Sequence, residues 1–180
     1  MKALLITGPV GVGKTTVAEE VGSRLAEAEV PHAVIDLDWL SSCWPAPADD
    51  PFHFELQLRN LRAVVRNYAD AGVHRIVLAG VVESQADRER YAEVVGAKLN
   101  VCRLKADLSV VHERLVRRHH AEADLRWHLN RAEELEMLFA ASWIEDFVVS
   151  ADQPVAEVAQ DVISWWLAAE RLPNEPVASE

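Results

Sequence analysis

Short apolar runs rich in β-branched residues alternate along the chain with longer stretches in which apolar residues recur every three or four positions. The short runs predict five strands: Ala3–Ile6, His32–Leu37, Arg75–Val82, Leu99–Leu104 and Asp146–Val149. The third run, RIVLAGVV, is apolar after its first residue, which is typical of a strand covered on both faces.

The longer stretches predict helices between these strands. They are Lys14–Glu27, Phe52–Ala71, Gln85–Val95, Leu108–His120, Asp124–Ala141 and Pro154–Glu170. The proline-rich segment Trp39–Pro51 should be irregular. Strands that alternate with helices indicate βαβ units, and therefore a three-layer α/β fold with a parallel sheet.

The chain has 180 residues, of which half are hydrophobic. This length suits one domain over residues 1–170, followed by a polar and flexible tail over 171–180. The 29 acidic residues outnumber the 18 basic ones, for a net charge of −11, which disfavours a nucleic acid partner. No apolar run approaches the 18 residues of a membrane span. Two cysteines and no targeting segment favour a reducing, cytoplasmic setting.

The segment Gly8–Thr15, GPVGVGKT, matches G-x-x-x-x-G-K-[ST] at every fixed position. It follows a predicted strand and opens a predicted helix, which is the context in which backbone N–H groups enclose phosphate. Lys14 is expected to reach the β- and γ-phosphates, and the Thr15 hydroxyl to ligate Mg²⁺. The residues expected at the nucleotide phosphates are Gly8, Gly11, Val12, Gly13, Lys14, Thr15 and Thr16.

With this loop and this order of elements, the chain resembles the P-loop kinases of nucleotides and small molecules. These include adenylate, shikimate and gluconate kinases and chloramphenicol phosphotransferase. The resemblance implies a five-stranded parallel sheet in the order 2-3-1-4-5, flanked by helices, with a helical lid over about residues 117–133. It also implies transfer of the γ-phosphoryl group of ATP, with Mg²⁺, to an acceptor.

Asp36 and Asp38 flank Leu37 at the end of the second predicted strand. Residues two apart on a strand point the same way, about 7 Å apart, so both carboxylates should face the crevice beyond the strand. By resemblance to the D-x-D of shikimate kinase, Asp36 would help to hold Mg²⁺ and Asp38 would be the catalytic base. The two roles are interchangeable at this stage, and a pair that only caps the next turn is the alternative.

Several residues are candidates for the acceptor side. Trp39 lies where the resembling family binds its acceptor, although core packing explains it equally well. Arg59 shares a helix side with Arg62 and Arg66, which indicates either an acidic acceptor or a solvated face. Gly80 allows close backbone approach or merely relieves packing. Many relatives place an aspartate where this chain has Ala79, and this difference gives Asp36 more weight at the metal.

The run HERLVRR, residues 112–118, resembles the E-R-L-x-x-R run of nucleoside monophosphate kinases. The resemblance places Arg114 against the base and Arg118 at the phosphates. It also implies that a lid arginine stabilises the transferred group. The spacing does not decide which one, and the candidates are Arg126 first and then Arg131.

Two further groups complete the candidates. Asp152 lies in a stretch that looks like the family's base-binding turn, although a helix cap explains it equally well. His119, His120 and His128 match no zinc spacing and are expected on the lid surface.

The sequence therefore predicts an ATP- and Mg²⁺-dependent kinase with a small-molecule acceptor and a catalytic set of Lys14, Asp38, Arg126 and Arg131. A nucleoside or nucleotide kinase is one alternative, and it differs only in the acceptor. An ATP-binding switch without a metabolite acceptor is another. The chain has no N-K-x-D motif of GTPases, and it is shorter than an AAA-type machine should be.

Overall fold

The computed structural model describes residues 1–119 and 121–171 of the chain. The expected tail therefore lies outside the described residues, apart from Arg171, which ends the last helix. The described strands are β1 (Lys2–Thr7), β2 (His32–Asp36), β3 (Arg75–Ala79), β4 (Leu99–Lys105) and β5 (Phe147–Ser150). The described helices are α1 (Lys14–Glu27), α2 (Leu37–Ser41), α3 (Phe54–Asp70), α4 (Gln85–Val95), α5 (Leu108–Arg118), α6 (Glu122–Ala141) and α7 (Val155–Arg171).

The strands form one parallel sheet in the order β2-β3-β1-β4-β5. This confirms the fold class and the strand order implied by the resemblance. Because the strands are parallel, the segments that follow β1, β2 and β3 emerge at the same edge of the sheet. In the β2–β3 register Asp36 pairs with Ala79, so Asp36 lies beside the position at which many kinases carry an aspartate.

Apolar cores lie on both faces of the sheet, because successive strand residues point in opposite directions. Leu4 and Ile6 of β1 pack into the core under α1, α5 and α7, whereas Ala3 and Leu5 pack into the core under α3 and α4. Trp166 of α7 is one of the largest fully buried side chains. Helices therefore cover both faces, as the predicted three-layer arrangement requires.

Some predicted boundaries are wrong where a polar side chain begins a helix. β2 ends at Asp36 rather than at Leu37, because the Asp36 carboxylate accepts the N–H of Asp38 and starts α2. This helix occupies part of the segment expected to be irregular. In the same way, the Asp50 carboxylate accepts the N–H of Phe54. The helix α3 therefore begins at Phe54 and not at Phe52.

Two other boundaries lie near the site. β3 ends at Ala79, three residues earlier than expected. The predicted break between the fifth and sixth helices is present, because α5 ends at Arg118 and α6 begins at Glu122. His120, the predicted last residue of the fifth helix, is outside the described residues. None of the helices in the described ranges is long and apolar enough to cross a membrane.

Candidate functional site

A cavity of about 830 Å³ lies beyond the carboxyl ends of the central strands. It is lined by the loop after β1, the residues after β2 and β3, and parts of α3, α4, α5 and α6. The turn after β5 closes another side through Ala151 and Gln153. Open α/β sheets bind ligands at this position, so the cavity is the candidate site.

The loop between β1 and α1 has the backbone of a phosphate cradle. Gly8, Gly11 and Gly13 all have positive φ, at 143°, 84° and 107°. A Cβ on Gly8 would lie 2.6 Å from the Leu104 carbonyl oxygen, and one on Gly11 would lie 2.8 Å from Leu115 Cγ. The tight fit against β4 and α5 thus requires glycine at both positions, in addition to their left-handed conformation.

Lys14 begins α1, and its ammonium group lies against this loop. Its Nζ donates hydrogen bonds to the carbonyl oxygens of Gly8 and Pro9, both at 3.0 Å. Burial lowers the pKa of Lys14 to about 8, although the charges of Asp38 and Asp36 oppose that shift. An anion bound beside Lys14 would favour its charged form and so oppose this lowering of the pKa.

Asp36 connects the loop to the segment after β2. The Thr15 hydroxyl donates to Asp36 Oδ2 at 2.7 Å, while Asp36 Oδ1 accepts the Asp38 N–H at 2.9 Å. The carboxylate is therefore both a helix cap and a partner of the loop threonine. Two adjacent oxygen donors of this kind fit Mg²⁺, which prefers carboxylate and hydroxyl oxygens.

Asp38 lies in the first turn of α2, so the expectation that Asp36 and Asp38 both belong to the second strand is wrong. The physical reason is that the Asp36 cap turns the chain into a helix one residue after the strand. Both carboxylates nevertheless line the cavity. Burial, followed by the charge of Asp36, raises the pKa of Asp38 against the opposing effects of Lys14 and Arg118. Asp38 is thus a stronger base than an ordinary aspartate.

Two of the three arginines of α5, Arg114 and Arg118, lie at the cavity. Arg114 donates to the carbonyl oxygens of Val12 and Ala151, at 3.0 Å each, and so ties the loop to the turn after β5. Arg118 also lines the cavity. The structure brings both predicted positions to the site, with Arg114 holding two backbone carbonyls there.

The two arginines of α6 point to different places. Arg131 lines the cavity, contacts Glu83 and lies over the Phe52 ring at 5.2 Å. Arg126 lies outside the cavity lining and pairs with Glu122 one turn away. The preference for Arg126 over Arg131 therefore disagrees with this arrangement, because five positions along a helix turn a side chain by about 140° and carry it about 7.5 Å along the axis.

Four other predicted positions lie outside the cavity lining, namely Gly8, Arg59, Gly80 and Asp152. Arg59 is exposed on α3. Asp152 accepts the Asp107 N–H at 3.3 Å and the Ser150 hydroxyl at 3.1 Å, and its neighbours line the cavity instead. Gly80 is buried under Leu37, so its small size relieves packing. Trp39, in contrast, lines the cavity and is 79% exposed, which argues against core packing.

Sequence reasoning missed the side chains that α3 and α4 contribute to the cavity. The Tyr91 hydroxyl donates to Gln57, whose amide donates to the Leu37 carbonyl oxygen at 2.9 Å. Asp87 lines the cavity one turn before Tyr91. The sequence signal that could have placed Asp87 is the Ser84-x-x-Asp87 pattern, which is typical of a helix start. In the structure the Ser84 hydroxyl accepts the Asp87 N–H at 3.0 Å.

The predicted surface histidines are partly enclosed. The rings of His119 and His128 stack with centroids 3.8 Å apart, and their side chains are 12% and 19% exposed. Asp124 contacts both rings, with Oδ2 2.5 Å from His119 Nδ1 and Oδ1 3.4 Å from His128 Nδ1. The ligand atoms of the three residues lie within 4.8 Å of one another. Because the three groups contact one another, they join the end of α5 to the first turns of α6.

The fold and the phosphate loop together define a nucleotide-binding protein with the architecture of the P-loop small-molecule kinases. A family model described as an AAA domain matches residues 4–138, and the chain belongs to this family. The AAA-type machines set aside on chain length are larger proteins, whereas the match covers one domain of this chain. A search of curated proteins finds no match.

Solved structures share the fold at low sequence identity. A sugar kinase from Janibacter is 20% identical, with a TM-score of 0.65, over 93% of this chain and 95% of that one. A gluconokinase from Sinorhizobium meliloti is 19% identical, with a TM-score of 0.61, over 93% of each chain. APS kinase from Mycobacterium tuberculosis, solved with AMPPNP and APS, is 20% identical, with a TM-score of 0.57, over 93% and 97%. At these identities the similarity shows the fold.

Proposed function

We propose that the protein is a kinase that moves the γ-phosphoryl group of ATP to a hydroxyl of a small molecule, with Mg²⁺. The observation that carries the proposal is that the phosphate loop and Asp38 line the same cavity, with Lys14 close enough to affect the Asp38 pKa. The kinase folds among the solved structures support the same reaction class.

In this proposal the loop from Gly8 to Thr16 binds the phosphates through its backbone N–H groups and the N-terminus of α1. Lys14 and Arg118 add positive charge at the β- and γ-phosphates. The Thr15 hydroxyl and the Asp36 carboxylate would hold Mg²⁺, which when bound neutralises charge on the transferring group.

Asp38 would position the acceptor hydroxyl and take its proton. The hydroxyl oxygen then attacks the γ-phosphorus, the bond from that phosphorus to the bridging oxygen breaks, and ADP leaves. The raised pKa of Asp38 suits this role, because a stronger base accepts the proton more readily. Arg131 is the lid arginine that lines the cavity, but because it pairs with Glu83 we assign the positive charge at the transferring group to Lys14 and Arg118. We assign the lid to residues 117–133 as part of this proposal.

The test separates nucleotide binding from transfer. Asp38→Asn should keep ATP affinity by calorimetry but lower acceptor-dependent ADP release by about 10²–10⁴-fold. Lys14→Ala should lose both, and Asp49→Asn, an exposed change outside the cavity lining, should lose neither.

ADP release is followed over a panel of nucleosides, monophosphates, sugars and aromatic diols. Turnover without any acceptor would support the switch alternative. The kinase proposal fails if folded protein with Mg²⁺ binds no nucleoside triphosphate, or if Asp38→Asn leaves transfer intact.

A further inference from the structure

Aromatic rings line the part of the cavity next to the segments that follow β2 and β3. These rings are Trp39, Phe52, Phe54 and Tyr91, and Trp127 of α6 lines the same cavity. Trp39, Phe52 and Trp127 are 79%, 54% and 50% exposed, so their apolar surface is available to a ligand. An occupant with an apolar ring or chain would remove this surface from water, which favours binding.

The charged groups in the same part of the cavity are mostly negative. Among the described lining residues on this side, three carry a negative carboxylate, namely Asp38, Glu83 and Asp87, and Arg131 carries a positive guanidinium. Arg131 is not available to an anion, because it contacts Glu83 and lies 3.3 Å from Glu134. An anionic ligand would thus meet carboxylates and an already neutralised cation.

Positive charge elsewhere does not change this balance. The other strongly basic lining residues, Lys14, Arg114 and Arg118, lie at the phosphate loop, where a triphosphate would use them. Arg59 and Arg62 of α3 are outside the cavity lining, and Arg62 pairs with Glu93 at 3.4 Å. The acidic acceptor considered from the α3 arginines therefore has no support in this arrangement.

We propose that the acceptor is a hydroxyl compound with an aromatic or other apolar ring and with no anionic group. Glu83 is the specificity-determining residue, because it neutralises the one guanidinium that faces the acceptor side of the described cavity. This inference rests on the proposed phosphotransfer, and it separates the protein from kinases whose acceptor is a carboxylate, sulfate or phosphate compound.

The experiment compares matched ligands on protein loaded with Mg²⁺ and a non-hydrolysable ATP analogue. The pairs are uridine with its 5′-monophosphate and the methyl ester of shikimate with shikimate itself. Association is measured by calorimetry, and kcat/KM by ADP release with ATP. The neutral member of each pair should bind at least tenfold more tightly, and any turnover should show the same preference.

Variants of the ion pair test the role of Glu83. Glu83→Gln frees Arg131 and should reduce the preference for the neutral member at least tenfold. Glu134→Gln removes the more exposed partner of the same arginine, outside the cavity lining, and should change the preference less than twofold. Arg131→Gln leaves the Glu83 carboxylate unpaired and should increase the preference for the neutral ligand. This second variant keeps the test possible if Glu83→Gln does not fold.

The outcomes distinguish the two proposals. If the ATP analogue does not bind, the proposed function fails. If the analogue binds but anionic members bind as well as neutral ones, or no neutral member binds, only the acceptor class is overturned. Equal effects of Glu83→Gln and Glu134→Gln would remove Glu83 from its assigned role.

Discussion

At the scale of single residues, Lys14 and Asp38 are shifted toward their neutral forms. Burial is the largest cause for both, and each charge partly offsets the shift of the other. Such opposed shifts in one cavity are typical of functional sites, because desolvated charges act strongly on a bound ligand. For Lys14 the consequence is a dependence of nucleotide affinity on pH that can be measured.

We predict that nucleotide binding takes up a proton above pH 8. Free Lys14 has a pKa of about 8, and a bound polyphosphate raises it, so above pH 8 the complex holds more protons than the free protein. Affinity should therefore fall as pH rises, by up to about tenfold per pH unit. Calorimetry at pH 9 in buffers of different ionisation enthalpy measures the uptake.

The control for this prediction is Lys14→Arg, because arginine stays charged throughout the range. It should bind with no proton uptake and with a flatter pH profile. Equal uptake by the variant and the original protein would assign the proton to another group and contradict the prediction.

At the scale of elements, the junction of β2, α2 and β3 depends on one small residue. A Cβ on Gly80 would lie 2.6 Å from Leu37 Cδ1, 2.9 Å from Leu37 Cβ and 3.0 Å from Leu37 Cγ. A rotation of one methyl group cannot relieve three such contacts. Since Leu37 lies between Asp36 and Asp38, a shift of this side chain would also move the two carboxylates.

Gly80→Ala should therefore lower the free energy of unfolding by about 1–3 kcal/mol through overpacking. In a Leu37→Ala background the same change should cost less, because two of the three crowded atoms, Cγ and Cδ1, are gone. Urea unfolding of the four proteins measures this coupling. Additive effects in that cycle would show that Gly80 is not held by Leu37.

How far the sequence predicts each element depends on the range of the interactions that define it. The phosphate loop was predictable, because its glycines, Lys14 and Thr15 are adjacent and their chemistry is local. The pairing of Arg131 with Glu83 joins residues 48 apart, and that of Tyr91 with Gln57 joins residues 34 apart. Helical spacing shows which face a residue occupies, but it does not show which distant side chain it meets.

The short helix α2 was missed for a related reason. Apolar residues at 33, 35 and 37 fit a strand, and the proline-rich segment that follows fits a loop. The cap by Asp36 and the hydrogen bonds from Gln57 and Asn60 of α3 to the carbonyl oxygens of Leu37 and Leu40 decide in favour of a helix. The cap is local, but the hydrogen bonds from Gln57 and Asn60 exist only after α3 has packed against the sheet.

At the scale of the whole molecule, α6 carries Arg131 to the cavity while its other end is fixed to the sheet. Arg103 of β4 is 8% exposed and lies 2.9 Å from Glu136 and 3.5 Å from Glu145. It also donates to the Phe139 carbonyl oxygen at 3.0 Å. This group anchors the C-terminal half of α6, so movement of a lid should be confined to the N-terminal half.

Arg103→Ala should therefore destabilise the fold far more than the loss of a surface ion pair. It leaves two largely buried carboxylates without their cation, for which a cost of about 3–5 kcal/mol is expected. Arg117→Ala, which removes an exposed pair with Glu113, should cost no more than about 0.5 kcal/mol. Urea unfolding measures both, and similar costs would refute the anchor. Because the same anchor positions α6, a folded Arg103→Ala protein should also bind acceptor less tightly, while its affinity for nucleotide at the phosphate loop stays unchanged.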